Sequence, residues 1–267
     1  MPRDLLAAAL GYARAGWPVH PCTWSTEAGC SCGEPDCGSP GKHPLTRWRD
    51  AATTDPETIA RWWTRWPVAN VGIATGGRGP DVVDIDTSNG KPGRESLARL
   101  RTAGLVSGAV ATVRTWSGGL HLYYAGSGQG NSALHTAGVD FRSSGGYVLA
   151  PPSTIFGRAY QLIARRPPTG VTVDWAAIRR LLAPAPPAGS VRPGRYSSHD
   201  ALVRWVAGRR SGSRNEGLYW AARRATETGA GLEVLAALVA AAVSAGLPEQ
   251  EAQRTVRSAQ QRAGAVV

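Results

Sequence analysis

Residues 4–15 carry apolar positions at helical spacing and are closed by Gly16, which predicts an amphipathic helix. Trp17-Pro-Val-His-Pro21 reads as a short strand. From Cys22 to Trp48 the periodicity disappears while Gly, Pro and Cys accumulate, as in a loop held by something other than an apolar core. A second helix starts at Thr54-Asp-Pro-Glu57, either with Asp55 capping ahead of Pro56 or with Thr54 and Glu57 in a capping box, and runs to about Trp66. Its Trp62, Trp63 and Trp66 lie at helical spacing and read as core in preference to a base-stacking surface. Strand patterns follow at 70–74 and 81–86, then a helix at 93–103 ended by Gly104. Residues 111–115 and 120–124 form a hairpin pattern across Trp116-Ser-Gly-Gly119, and strand signals recur at 138–141, 146–150 and 159–163 before a helix at 173–183. A strand-rich centre framed by helices predicts an α+β fold with a mainly antiparallel sheet.

Beyond Ala183 the pattern changes. Ala183-Pro-Ala-Pro-Pro-Ala-Gly-Ser190 is Pro-rich and is the best boundary in the chain. It divides a unit over 1–183 from a linker over 184–197 and a helical unit over 198–267. Helices are expected there at about 198–208, 213–228, 231–245 and 248–263, with Ser213-Arg-Asn-Glu216 resembling a capping box. This predicts a small C-terminal helical bundle.

Composition adds a partner class. The chain of 267 residues is 42% hydrophobic, enough for a substantial core. The formal net charge is +11, divided as +6 before residue 184 and +5 from there on, so the charge is not a tail. That balance suits a polyanionic partner such as nucleic acid or nucleotide phosphates, although an Arg-, Ala- and Gly-rich composition by itself accounts for part of it. The N-terminal apolar segment is too short and too punctuated for a membrane span or a secretory signal, so a soluble, cytoplasmic protein without membrane contact is expected.

Several residue groups carry chemistry. In Asp81-Val-Val-Asp-Ile-Asp86, Asp84 and Asp86 stand two apart and share one strand face. Two carboxylates so placed repel unless a cation or proton lies between them, and an oxygen-only set suits Mg²⁺ or Mn²⁺. The competing reading makes Asp86 the first residue of a turn, Asp-Thr-Ser-Asn-Gly, with Asp84 merely exposed. Ser117-Gly-Gly precedes His121 at the start of a strand, where glycines allow a phosphate to approach the backbone. Asp140 and Arg142 lie on one face of another apolar strand, where a plain salt bridge is the alternative. All four cysteines (Cys22, Cys30, Cys32 and Cys37) fall in one loop with His43. Thiolates so gathered suit tetrahedral Zn²⁺; the preferred ligands are Cys30, Cys32, Cys37 and His43, with Cys22 as a substitute for one of them. Lys42, one of only two lysines, sits in Gly41-Lys-His-Pro44 at the end of the same loop. A point charge and a solvated loop residue both fit it.

Over about residues 5–180 the ordered set of motifs resembles the bifunctional primase–polymerase domain of the archaeo-eukaryotic primase superfamily. The set comprises Gly-Trp-Pro-Val in the entry segment, Gly-Lys-His-Pro44, the Trp-Trp helix and Asn-Val-Gly-Ile-Ala-Thr-Gly76. It continues through Val-Val-Asp-Ile-Asp86, Ser-Gly-Gly-Leu-His121, Val-Asp-Phe-Arg142 and Gly-Tyr-Val-Leu-Ala-Pro-Pro-Ser153. The resemblance implies an RRM-like catalytic core and template-directed nucleotidyl transfer that makes or extends primers on single-stranded DNA from dNTP or NTP. It implies Asp84, Asp86 and Asp140 as ligands of two Mg²⁺ or Mn²⁺ ions and His121 beside the triphosphate. Arg142, Ser117 and Lys42 are expected to contact nucleotide, and a structural zinc insertion fits the cysteine loop. The setting implied is replication of a plasmid or phage. No Walker A motif follows, so either any helicase is expected to be a separate chain or the chain is a fragment of a longer one. A non-catalytic nucleic-acid-binding replication protein and a metal-dependent nuclease are the rival expectations.

Overall fold

A computed structural model describes residues 4–27, 29–88, 90–183, 198–209 and 214–263. Contacts cluster into two compact units, 1–184 and 185–267, each with its own apolar core. In chain order the first unit begins with α1 (Leu5–Arg14), β1 (Val19–Cys22), β2 (Ser25–Thr26), β3 (Gly29–Cys30), α2 (Trp48–Ala51), α3 (Pro56–Arg65), β4 (Asn70–Thr75) and β5 (Asp81–Ile85). It continues with α4 (Gly93–Thr102), β6 (Ala111–Arg114), β7 (Leu120–Tyr124), β8 (Ser132–Leu134), β9 (Val139–Arg142) and β10 (Gly146–Leu149). The last elements are β11 (Thr154–Ile155), β12 (Arg158–Ala159), β13 (Gln161–Arg165) and α5 (Trp175–Leu182).

The frame is a six-stranded sheet in the order β13-β6-β7-β5-β9-β8, antiparallel at every pairing. A second antiparallel sheet, β1-β4-β10, stands beside it. This is the α+β, mainly antiparallel class expected. Strand alternation divides the β5 residues between two cores. Val83 and Ile85 enter one core with Leu122, Phe141 and Val139, closed by Leu97 and Leu100 of α4 and Ile178 of α5. Val82 enters the other with Val113, Tyr123, Val71 and Ile73, closed by Leu5 and Ala9 of α1 and Ile59 and Trp63 of α3. Both helices start on a carboxylate cap, Asp4 accepting from Ala7 N and Asp55 from Thr58 N. Among the three tryptophans at α3, Trp63 is buried and donates its indole N–H to Ala69 O, while Trp62 and Trp66 are half-buried.

Two predicted elements divide differently. The strand expected at 159–163 is broken at Tyr160, whose buried ring anchors the chain while its N–H donates to Ser153 O. Arg158–Ala159 pairs back on Thr154–Ile155 as a hairpin, and Gln161–Arg165 crosses to pair with β6. The cysteine loop, without apolar periodicity, contains the miniature hairpin β2–β3.

The second unit contains α6 (His199–Ala207), α7 (Arg214–Glu227), α8 (Leu232–Ser244) and α9 (Glu249–Ala263). Leu202, Val206, Leu218, Leu238, Ala252 and Val256 fill its core. The Pro-rich linker and the Ser213 end of the expected capping box lie outside the described residues. Among the described residues, no helix is long and apolar enough to cross a membrane.

Candidate active site

Register decides what β5 brings together. Asp84 pairs with His121 of β7 on one side and with Asp140 of β9 on the other, so the three side chains form one row across three neighbouring strands. Directly paired residues share a face, and this face is the one that turns away from α4 and α5. His121 Nε2 lies 3.6 Å from Asp84 Oδ1. Arg142 donates to Asp140 Oδ2 at 2.6 Å, and His135 Nδ1 stands 3.7 Å from the other oxygen of that carboxylate.

The two readings of Asp86 turn out to be compatible. β5 ends at Ile85, yet Asp86 N still donates to Gly138 O, which keeps the residue in line with the strand. Its carboxylate opens an Asx turn, accepting from Ser88 N at 2.9 Å and Ser88 Oγ at 2.7 Å, and its other oxygen pairs with Lys91 Nζ. Ser117 lies in the β6–β7 turn, its hydroxyl 3.2 Å from Thr115 Oγ1. The nearby glycine has a packing reason: a Cβ on Gly119 would stand 2.4 Å from Ile85 O, so only glycine lets β7 start this close to the end of β5.

A cleft of about 660 Å³ opens onto the row, lined in part by Lys42, Asp84, His121, Arg142, Tyr147 and Tyr160. Burial raises the Asp84 carboxyl above the usual range, and Asp140 and Asp86 push it the same way against the opposing pull of His121 and Arg142. Burial likewise lowers His121, favouring its neutral form, with Arg142 and Lys42 adding to the effect against Asp84. Partial burial works against ionisation of Asp86, but the hydrogen bonds from Lys91 and Ser88 outweigh it and hold that carboxyl low. Burial also lowers Lys42 despite the attraction of Asp84 and Asp86. The cleft therefore holds the Asp84 carboxylate among the cations Lys42, Arg49 and Arg142, and that carboxylate has no hydrogen-bond donor of its own among the described residues.

A second cluster lies in the cysteine loop. One ligand atom from each of Cys30, Cys32, Cys37 and His43 can be chosen so that all four lie within 4.8 Å of one another. Cys37 Sγ is 2.7 Å from His43 Nε2, and Gly41 N donates to Cys30 Sγ. Cys30 is drawn down to about 6: burial opposes this, but donors from Gly41, Cys32 and Thr23 outweigh it. Cys37 moves upward through desolvation and its thiol neighbours. Three thiols gathered with an imidazole match a tetrahedral Zn²⁺ donor set. Cys22 stands apart, fully buried in β1 with its sulfur 3.6 Å from His20 Nδ1.

Three residues near the row escaped sequence reasoning. His135 reaches Asp140 from a 3-10 turn (His135–Ala137) with no periodic signal. Lys91 could have been found, since it is the second of only two lysines and lies five residues after Asp86. Asp81, fully buried, accepts from Ser127 Oγ and Ser143 Oγ, both at 2.6 Å, and ties the start of β5 to two loops.

The antiparallel sheet thus carries a carboxylate–histidine row, two members of which, Asp84 and His121, line a cleft that also holds Lys42 and Arg142. The family model for the N-terminal domain of bifunctional DNA primase/polymerase matches residues 9–188, and the chain belongs to that family. A comparison with curated proteins found no match. Among solved structures, the crystal structure of primase RepB′ is similar over 97% of this chain and 98% of that one, with 13% identity and a TM-score of 0.31.

Proposed function

We propose that the cleft performs template-directed nucleotidyl transfer, making or extending primers on single-stranded DNA from dNTP or NTP. The observation that carries this reading is the row His121–Asp84–Asp140, whose His121 and Asp84 line a cleft together with Lys42 and Arg142. Asp84, Asp140 and Asp86 would hold Mg²⁺ or Mn²⁺. The donor chemistry is of the kind such ions take: Asp84 and Asp140 are directly paired, and neighbouring carboxylates, one of them desolvated, repel less when a cation or a proton lies between them; Asp140 is meanwhile held by Arg142, and Asp86 by Lys91 and Ser88. Lys91 sits on Asp86 where a divalent charge would otherwise balance it. When bound, a pair of such ions activates the attacking 3′ hydroxyl and stabilises the leaving pyrophosphate.

The residues of the chain supply the rest. Arg142 and Lys42, which line the cleft with Asp84, neutralise phosphate charge. His121, buried and neutral, offers a ring nitrogen to a phosphate oxygen or a ligand water without adding charge. The Cys30, Cys32, Cys37 and His43 group would hold a structural zinc ion that fixes the loop carrying Lys42. A primer, a template strand and, for duplex substrates, a helicase activity complete the expected partners, in replication of a mobile element.

The test is incubation with single-stranded template, labelled nucleotides and Mg²⁺ or Mn²⁺. Growing oligonucleotides that disappear in Asp84→Ala and Asp140→Ala are expected. Shortening of the template would replace this reading by a nuclease. Retained DNA binding with no product under either metal would replace it by a non-catalytic replication protein.

A further inference from the structure

The hairpin β11–β12 presents a residue that its backbone disfavours. Phe156 stands at the tip with φ +45°, in the left-handed region where a bulky residue is an outlier, and the residue is 53% exposed. Asn or Gly would serve such a turn at lower conformational cost, so the phenyl ring must be explained by what it touches. It meets the Trp116 ring edge-to-face at 6.5 Å between centroids. Lys42 Nζ in turn lies 5.2 Å from the centre of the Trp116 ring, and Lys42 lines the cleft with Asp84 and His121. Two rings and an ammonium thus run in sequence from solvent to the acidic row.

The cysteine loop holds this arrangement from behind. A Cβ on Gly41 would stand 2.7 Å from Ile155 Cδ1, so the loop packs directly on the hairpin. Phe156 N donates to Ser25 Oγ at 2.7 Å. The Asn70 amide joins the two segments, donating to Gly41 O and to Thr154 O, both at 2.9 Å. Lys42 O accepts from Tyr147 OH. The segment bearing the four zinc-type ligands therefore sets both Lys42 and Phe156.

We propose that Phe156 and Trp116 form a stacking platform for a nucleobase at the mouth of the cleft, with the adjoining phosphates directed along Lys42 to the carboxylate row. In locating the phosphates the proposal rests on the nucleotidyl-transfer reading. A π-face accepts any base, so the platform adds base-dependent, sequence-tolerant affinity. The base belongs either to the incoming nucleotide or to the single strand, and the chemistry is the same in both.

The test compares ligands with and without bases. In one arm, oligothymidylate and a length-matched abasic oligomer are titrated by fluorescence anisotropy. In the other, dATP and base-free deoxyribose triphosphate are titrated by calorimetry with Mg²⁺. Wild type should bind the base-bearing ligand of at least one arm more tightly, and Phe156→Asn should erase that preference, a loss of roughly fivefold to a hundredfold, with base-free binding unchanged. The arm that responds identifies the source of the base. Phe156→Tyr should retain the preference, and Trp116→Leu should reduce it. Asn tolerates the left-handed backbone, so the Phe156→Asn melting temperature should not fall. Removal of zinc should diminish the same preference. An unchanged base preference in both arms for Phe156→Asn and Trp116→Leu would overturn the platform, even if the enzyme extends primers. Lost preference in a protein that never extends primers would overturn the enzymatic reading alone.

Discussion

Replacing Asp84 by Asn should stabilise the metal-free protein while abolishing its chemistry. The substitution keeps the shape of the side chain and removes one charge from the centre of the row. Asp84 and Asp140 are directly paired across β5 and β9, and neither breaks a ladder or a cap when neutralised. Directly paired residues have Cβ atoms about 5 Å apart, and two unit charges at that distance repel by about 3 kcal/mol at an effective dielectric of about 20. His121 and Arg142 offset part of this, as does the residual exposure of the site, so the net gain expected is about 1–3 kcal/mol. For a domain of this size each kcal/mol moves the melting temperature by roughly 2–4 °C. The assay is circular dichroism melting at pH 8 in chelator, repeated with Mg²⁺ and with Mn²⁺. Asp84→Asn should melt several degrees higher than wild type in chelator, and added metal should raise wild type more than the variant. A lower melting point in chelator, together with an equal response to metal, would refute the argument that Asp84 is an unbalanced charge kept for a cation. A functional group held at a cost to stability is a common trade-off, and the position of this one can be read from the register.

Two further outcomes follow from the same geometry. Protein purified without chelator should contain close to one equivalent of zinc by elemental analysis, falling sharply in Cys37→Ser and His43→Ala; zinc-free wild type would sink the zinc assignment. Burial pushes His20 down to about 4, so between the ordinary value near 6.5 and that value the unfolded chain takes up a proton that the folded one refuses. Stability should therefore fall as pH drops through that window, by up to about 1.4 kcal/mol per pH unit from this group. Asp84, whose carboxyl is raised, titrates in the opposite sense, so the check is the difference between melts of wild type and His20→Gln at pH 7 and pH 5. Equal pH dependence in the two would contradict the assignment.

Local sequence determined the elements whose periodicity is long enough to be unambiguous. α1, α3 and α4 begin where a cap or a glycine permits and end where the apolar repeat stops, because each must bury one stripe. β5 was legible from Val82, Val83 and Ile85, and the ordered motifs identified the family that the residues 9–188 match establishes. The cysteine cluster was equally visible, because four thiols and an imidazole in one aperiodic loop have few other uses.

Tertiary structure decided the partnerships. A strand's alternation states which residues share a face but not which strand lies beside it, so only the β7-β5-β9 order places His121 and Asp140 on either side of Asp84. The same lack of local information hid His135, which reaches Asp140 from a turn, and Tyr160, where the chain exchanges one strand partner for another. It also chose among the cysteines: Cys22 is consumed by the β1 core, leaving Cys30, Cys32, Cys37 and His43 together. The charge of Asp84 is written in the sequence, but its meaning comes from the neighbours that the sheet's long-range pairing supplies.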